Sequence, residues 1–356
     1  MLDFLIVGAG CFGATFARVA TDHGKSCMVI DKREHIAGNC FTTKRYGIDI
    51  HEYGAHIFHT SNEEVWNFVN RFSKFNNYRH TLKVSNFGKI YSFPINLMTL
   101  YQMWGVQTPE SARQALQQRQ IPSQKDDLES YILSQIGSEL YETFVRDYTT
   151  KQWGTDPKNL PKSIIKRLPI RLTFDDRYFL DTYQGIPVDG YTALFTEMLS
   201  GIQVETGVDY FADKGRLDRL AKRVVYTGPI DQYFGYEFGR LGWRSLRFET
   251  ELVRRPDYQG CSVMNYTDST PFTRICEHKH FTGVSTDTTV ITREFSSDFG
   301  DEFYPIRTKN DMITYNKYKI LASSGSDIFG GRLGHYKYID MHQAIGAAMK
   351  EAHDIL

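Results

Sequence analysis

The chain has 356 residues, and its 42 basic and 42 acidic side chains balance to zero net charge. That length suits about two or three cores, and the balance argues against a nucleic acid or an anionic membrane surface as partner. No run approaches the ~18 apolar residues of a membrane span, and five cysteines without a C-x-x-C pair read as reduced thiols of a cytoplasmic protein with no metal.

Leu2 to Val7 is a short apolar run, followed without a gap by Gly8-Ala9-Gly10-Cys11-Phe12-Gly13. Phe12, Phe16, Ala17 and Ala20 then recur at helical spacing. Cys27 to Ile30 is a second buried-strand candidate, and it ends on Asp31. Strand, glycine turn, helix, strand and acid, with the acid about 20 residues past the turn, form a dinucleotide-binding pattern. In it Gly8 makes the tight turn, Gly10 lets the backbone approach a pyrophosphate, and Gly13 lets helix pack on strand. The pyrophosphate would sit on the helix N-terminus, and Asp31 would accept from an adenosine ribose hydroxyl; the bland alternative is a tight strand-to-helix turn with no ligand. Asp3 and the glycine turn fit a first strand better than a signal peptide. FAD and NAD are both open at this point.

Lys32 to Cys40 is polar, contains Gly38, and reads as a loop returning toward the cofactor. Tyr46 to Asp49 is a turn. His56 and His59 lack a third ligand, so a metal is not expected; they are either hydrogen-bonded loop histidines or groups beside a cofactor. Trp66, Val69 and Phe72 give an amphipathic helix, and Thr81 to Phe93 alternates about Gly88 as a hairpin that Pro94 ends.

The chain then turns helical. Asn96 to Trp104 is a helix, and Thr108-Pro109-Glu110 opens another with an N-cap, a first-position proline and a first-turn acid. Asp126 to Ile136 is a third, closed by Gly137. From Ser138, Leu140, Phe144 and Tyr148 share one face, with Tyr141 and Val145 beside it. Roughly sixty helical residues inserted into an α/β chain read as a helical domain. An aromatic stripe is usually core, but Tyr148 and Trp153 end this one beside the polar Thr149-Thr150-Lys151-Gln152, a position suited to ligand stacking.

Ser163 to Arg171 is basic, and Pro169 prevents a continuing helix. It is either a solvated charge run or an anion-binding loop, since arginine's planar fork suits a phosphate. Gly185-Ile186-Pro187 is a turn before a helix from about Tyr191. Ile202 to Asp209 and Arg223 to Thr227 are short strands, the second ending in Gly228-Pro229. Leu246, Phe248, Thr250 and Leu252 alternate with Arg247, Glu249 and Glu251, the period of a sheet wet on one face. Further strands run to about Ile291, and a glycine-rich turn, Gly330 to Gly334, feeds a C-terminal helix carrying Ala344, Ile345 and Ala348.

Gly8-x-Gly10-x-x-Gly13, His35 to Asn39, His56-Ile57-Phe58-His59, Lys151-Gln152-Trp153, Lys166-Arg167-Leu168-Pro169, Tyr226 to Asp231, Thr273 to Phe281 and Arg332 to Asp340 agree with one another. Together these stretches resemble the bacterial UDP-galactopyranose mutase family. One departure is Ala37, where the family usually has a second glycine beside Gly38; alanine suits that position poorly if it needs a positive φ.

The resemblance implies an α/β protein: a Rossmann-like FAD domain (1–78, 190–238, 305–356), a helical bundle (96–165) and an antiparallel sheet domain (79–95, 166–189, 239–304). It implies that FAD works reduced, its N5 attacking the anomeric carbon of UDP-galactopyranose with UDP leaving, and that the sugar recloses as the furanose without net oxidation. An external reductant such as NADPH or NADH would supply the reduced form, and the family often forms homodimers. It further implies catalytic roles for Arg167, Arg274 and His56, the two arginines gripping the diphosphate. Substrate contacts would come from Phe144, Tyr148, Trp153, Tyr178, Asn265, Tyr304 and Tyr338. Gly8, Gly10, Cys11, Phe12, Gly13, Asp31, Lys32, Gly38, Asn39, His56, Arg332, Tyr338, Asp340 and Met341 would hold the cofactor. No side chain stands out as the acid or base for ring opening. UDP-N-acetylgalactosamine and dTDP-fucose are alternative substrates, and an oxidative FAD enzyme or a non-catalytic dinucleotide-binding protein are alternative classes.

Overall fold

The computed structural model describes residues 1–164 and 170–356. Five strands form one all-parallel sheet in the order Ile328–Phe329, Ala221–Tyr226, Leu2–Val7, Cys27–Asp31 and Gln203–Thr206. Leu2–Val7 is the centre strand because it is apolar on both faces: the adjacent Leu5 and Ile6 are both fully buried. Helices Cys11–Asp22 and Met341–Ile355 pack together over one face, where Ala17 and Ala20 meet a partner rich in small residues, Ala344, Ala348 and Ala352. Tyr210, Tyr226, Tyr233 and Phe329 close the other face as an aromatic cluster. The expected Rossmann-like α/β sheet is present.

The second sheet has seven strands in the order Tyr304–Pro305, Trp243–Val253, Thr289–Ser297, Arg274–Glu277, Val263–Tyr266, Leu82–Asn86 and Lys89–Phe93. Its pairings are antiparallel except that of Val263–Tyr266 with Leu82–Asn86. Leu246 is buried and Phe248 and Leu252 are half-buried while Arg247, Glu249 and Glu251 are exposed, as the alternation requires, but Thr250, expected inward, is exposed as well. The edge strand Lys89–Phe93 is blocked by Gln102, whose amide accepts from Ser92 N (2.9 Å) and donates to Ile90 O (3.1 Å). These are positions a further strand would take.

Several local expectations are corrected. Tyr46 and Gly47 alone make the turn, with φ of 56° and 76°, while Ile48 and Asp49 belong to strand Ile48–His51. Gly185 ends strand Tyr183–Gly185. The strand expected to stop near Ile291 continues to Ser297, because it pairs along its whole length with Trp243–Val253. Helix Glu63–Val69 stops before Phe72, which follows in a turn. Gly137, by contrast, closes its helix as expected: its φ of 75° and ψ of 179° are not helical, a Cβ there would clash with Arg119 O, and a second helical segment starts after it.

Ala37 is fully buried at φ 72°, and its N–H bonds Ala9 O (2.9 Å), tying the returning loop to the glycine turn. A left-handed alanine carries steric strain of order 1 kcal/mol that glycine lacks. Ala37→Gly is therefore expected to raise stability by about 0.5 kcal/mol after the entropy of the freer unfolded chain is subtracted. A lower denaturation midpoint in the variant would show the strain to be absent.

Candidate functional site

The glycine turn is built as a ligand cradle. Gly8 has φ 107°, and a Cβ on it would meet Thr227 Oγ1 at 2.0 Å; one on Gly13 would meet Gly8 O at 1.9 Å. Gly10 caps helix Cys11–Asp22 without a side-chain bond, so the first helical N–H groups face the cavity uncapped. Asp31 is buried, its two oxygens accepting from Ala9 N (2.8 Å) and Arg33 N (2.9 Å). Each oxygen keeps a further acceptor position, so the carboxylate can brace the turn and take a ribose hydroxyl.

The same cavity is lined by Gly8, Gly10, Cys11, Phe12, Asp31, Lys32, Gly38, Asn39, His56, Arg332, Asp340 and Met341. Gly13 supports it from behind. Donors at one end, an acid at the ribose position and apolar walls fit an extended dinucleotide. The helix Met341–Ile355 points its N-terminus here, capped by Asp340.

His56 Nδ1 bonds Gly54 O (2.9 Å), and a carbonyl only accepts, so the proton is on Nδ1 and Nε2 is a lone pair. His278 Nδ1 accepts from His51 N (3.2 Å), and His51 Nδ1 accepts from His56 N (3.1 Å), so both are neutral on that nitrogen. Burial holds these imidazoles well below the usual range, His56 at about 4 and His278 and His80 at about 3, with His51 shifted the same way. The unfolded chain binds these protons near pH 6.5 and the folded chain does not until far lower. Stability is thus expected to fall as pH drops from about 6.5 toward 4, by up to ~1.4 kcal/mol per pH unit for each group. A denaturant midpoint unchanged between about pH 7 and pH 5 would rule out neutral burial.

A second cluster adjoins the cavity. Arg274 Nη2 donates to Tyr148 Oη (2.5 Å), and its Nε lies 3.6 Å from Glu294 Oε1. Sheet register dictates this, because Arg274 pairs with Glu294 on one neighbouring strand and Asn265 on the other. Glu294 is buried, and burial raises its carboxyl against the opposing pull of Arg274. Asn265 Oδ1 is buried with no hydrogen-bond partner among the described residues. Tyr304 and Tyr338 stack at 5.5 Å, Trp153 meets Tyr304 at 6.3 Å, and the Arg332 guanidinium lies 4.9 Å from the Tyr338 ring. Arg332 therefore joins the two clusters. Tyr178 stands edge-on to His80 at 5.4 Å. An aromatic pocket around a guanidinium, beside a dinucleotide cleft, can take a nucleotide's base and phosphates.

Two expectations fail here. Phe144 is not open to a ligand: it is buried against Tyr91 (5.3 Å) and Phe93 (6.1 Å). His59 does have companions, because its ligand atom and those of Asp340 and His342 lie within 4.8 Å of one another. Arg167 lies outside the described residues. His80 and Glu294 were missed; neither stands in a sequence pattern, although Glu294 is an acid at an inward strand position.

The profile of the UDP-galactopyranose mutase family matches residues 143–338, and that of the NAD(P)-binding Rossmann-like domain matches residues 6–72. The chain is 40% identical to the dTDP-fucopyranose mutase of Escherichia coli, over 98% of this chain and 97% of that one. It is also 40% identical to a Klebsiella pneumoniae protein named "Probable UDP-galactopyranose mutase", over 99% and 94%. Its fold matches a crystal structure of reduced UDP-galactopyranose mutase with a TM-score of 0.77 at 12% identity, covering 100% of this chain and 94% of that one.

Proposed function

The chain belongs to the UDP-galactopyranose mutase family, a family of nucleotide-sugar pyranose–furanose mutases, and from that premise we propose that it interconverts UDP-galactopyranose and UDP-galactofuranose with reduced FAD. The observation that carries this reading is the Arg274 guanidinium, held by Tyr148 and Glu294 beside the cavity of the glycine turn. When bound, reduced flavin supplies the nucleophile for the anomeric carbon.

The chain's own residues would do the rest. The cradle amides and Asp31 hold the ADP part of the cofactor. Tyr148 and Trp153 pack the uracil, and Arg274, with Arg167 by its motif, offsets charge on the departing diphosphate. Tyr304 and Tyr338 would line the sugar and diphosphate side of the site, Arg332 holds Tyr338 by its guanidinium, and His56 stays uncharged beside the cavity. A neutral His56 adds no charge that would compete for the anion.

Incubating dithionite-reduced protein with UDP-galactofuranose should yield UDP-galactopyranose without consumption of reductant. Absence of pyranose by chromatography would refute the reading, and stoichiometric hydride transfer from the sugar substrate with oxygen uptake, measured without dithionite, would favour an oxidase. The equal identity to a dTDP-fucopyranose mutase favours one second reading, the same chemistry on dTDP-fucose. Relative kcat/KM on the two nucleotide sugars separates them.

A further inference from the structure

Cys11 and Cys40 come from different segments, yet their sulfurs are 3.5 Å apart and both residues line the cofactor cavity. Cys11 opens the helix after the glycine turn, and Cys40 ends the short helix Gly38–Cys40. The two segments are held together by backbone contact: Ala37 N bonds Ala9 O at 2.9 Å, and a Cβ on Gly38 would lie 3.0 Å from Gly10 Cα. Both thiols are free, Cys11 half-buried and Cys40 buried. The sulfur contact and burial both push the Cys40 thiol up, so Cys40 keeps its proton and Cys11, the more accessible sulfur, attacks first.

We propose that Cys11 and Cys40 form a reversible disulfide whose formation displaces the cradle and releases the flavin. The oxidant is a small-molecule disulfide such as oxidised glutathione. Cys11 thiolate attacks one of its sulfurs, expelling one glutathione thiolate and leaving a mixed disulfide. The Cys40 sulfur then attacks Cys11 Sγ, and its proton leaves with the second glutathione. The two cysteines lose two electrons in total and the oxidant becomes two thiols. Closing to a bond of about 2.05 Å must draw Cys11 and Cys40 together. The amides of Cys11 and Phe12, the helix's first donors, shift with that movement.

This effect on the flavin rests on the FAD reading above, but the crosslink is measured independently of it. The purified holoprotein would be treated with oxidised glutathione and digested with trypsin without reduction. The expected product joins peptide 1–18 to peptide 34–44, with flavin absorbance per chain falling and returning after dithiothreitol and added FAD. Cys40→Ala should stop at the mixed disulfide on Cys11 and keep more flavin than the parent under the same oxidant. Persistent free thiols, or a mixed disulfide alone in the parent, would overturn the pair. A crosslinked protein that retains its flavin would overturn the release. A preparation lacking flavin from the start refutes the FAD reading instead, and the peptide map still decides the crosslink.

Discussion

Arg274→Ala is expected to lower kcat by roughly 10²–10³-fold while leaving flavin content unchanged, the scale set by removing a preorganised donor from an anion-stabilising site. Arg274 is held from two sides, by Tyr148 Oη at 2.5 Å and Glu294 at 3.6 Å, so its guanidinium is positioned before any substrate arrives. The variant also removes the only cation paired with Glu294 among the described residues, and a buried carboxylate without its cation is costly. That cost can mimic a catalytic defect by loosening the fold. The double variant Arg274→Met with Glu294→Gln separates the two. It should recover most of the lost denaturation midpoint, because no buried charge remains, yet recover none of the turnover. If the single variant turns over within about threefold of the parent, the guanidinium does not stabilise the leaving diphosphate. If the double variant regains turnover, the arginine serves the fold alone.

What could be read from the chain and what could not divide along a physical line. The glycine turn, the Thr108-Pro109 helix start and the Gly88 hairpin were legible because each depends on residues adjacent in sequence and on φ values that few residue types adopt. The rung of Asn265, Arg274 and Glu294 was not, since it needs the register of three strands joined by long connections. The Cys11–Cys40 contact needs the fold of the returning loop for the same reason. Phe144 shows how a correct period can still mislead. A π turn over Glu142–Arg146 inserts between helices Leu128–Tyr141 and Asp147–Trp153, so the aromatic stripe does not stay on one straight face. Phe144 ends in the core while Tyr148 reaches Arg274. Ala37 was the reverse case: a departure from a resemblance raised a question about one backbone angle, and the angle is left-handed.

Lys151→Met should lower stability by about 2–4 kcal/mol, as expected when charge-assisted bonds are lost and carbonyls are left without them. Lys151 lies between Tyr148 and Trp153, but its ammonium points away from the aromatic pocket. It donates to Tyr266 O (2.8 Å), Thr270 O (2.8 Å) and Phe272 O (3.2 Å). Three donors around one tetrahedral nitrogen match three converging carbonyls, and a planar guanidinium does not, so Lys151→Arg should not restore the loss. Those carbonyls lie at the end of strand Val263–Tyr266 and in the connection from it to strand Arg274–Glu277, which carries Arg274. Lys151 therefore couples the helix that carries Tyr148 and Trp153 to the loop that carries their cationic partner. The variant should exchange the Thr273 amide, bonded to Glu294 O at 2.8 Å, faster than the parent and lose turnover in parallel. A midpoint shift below about 1 kcal/mol, within the worth of a single neutral hydrogen bond, would mean that the sheet alone holds the loop and that Lys151 is not the link between the two halves of the pocket.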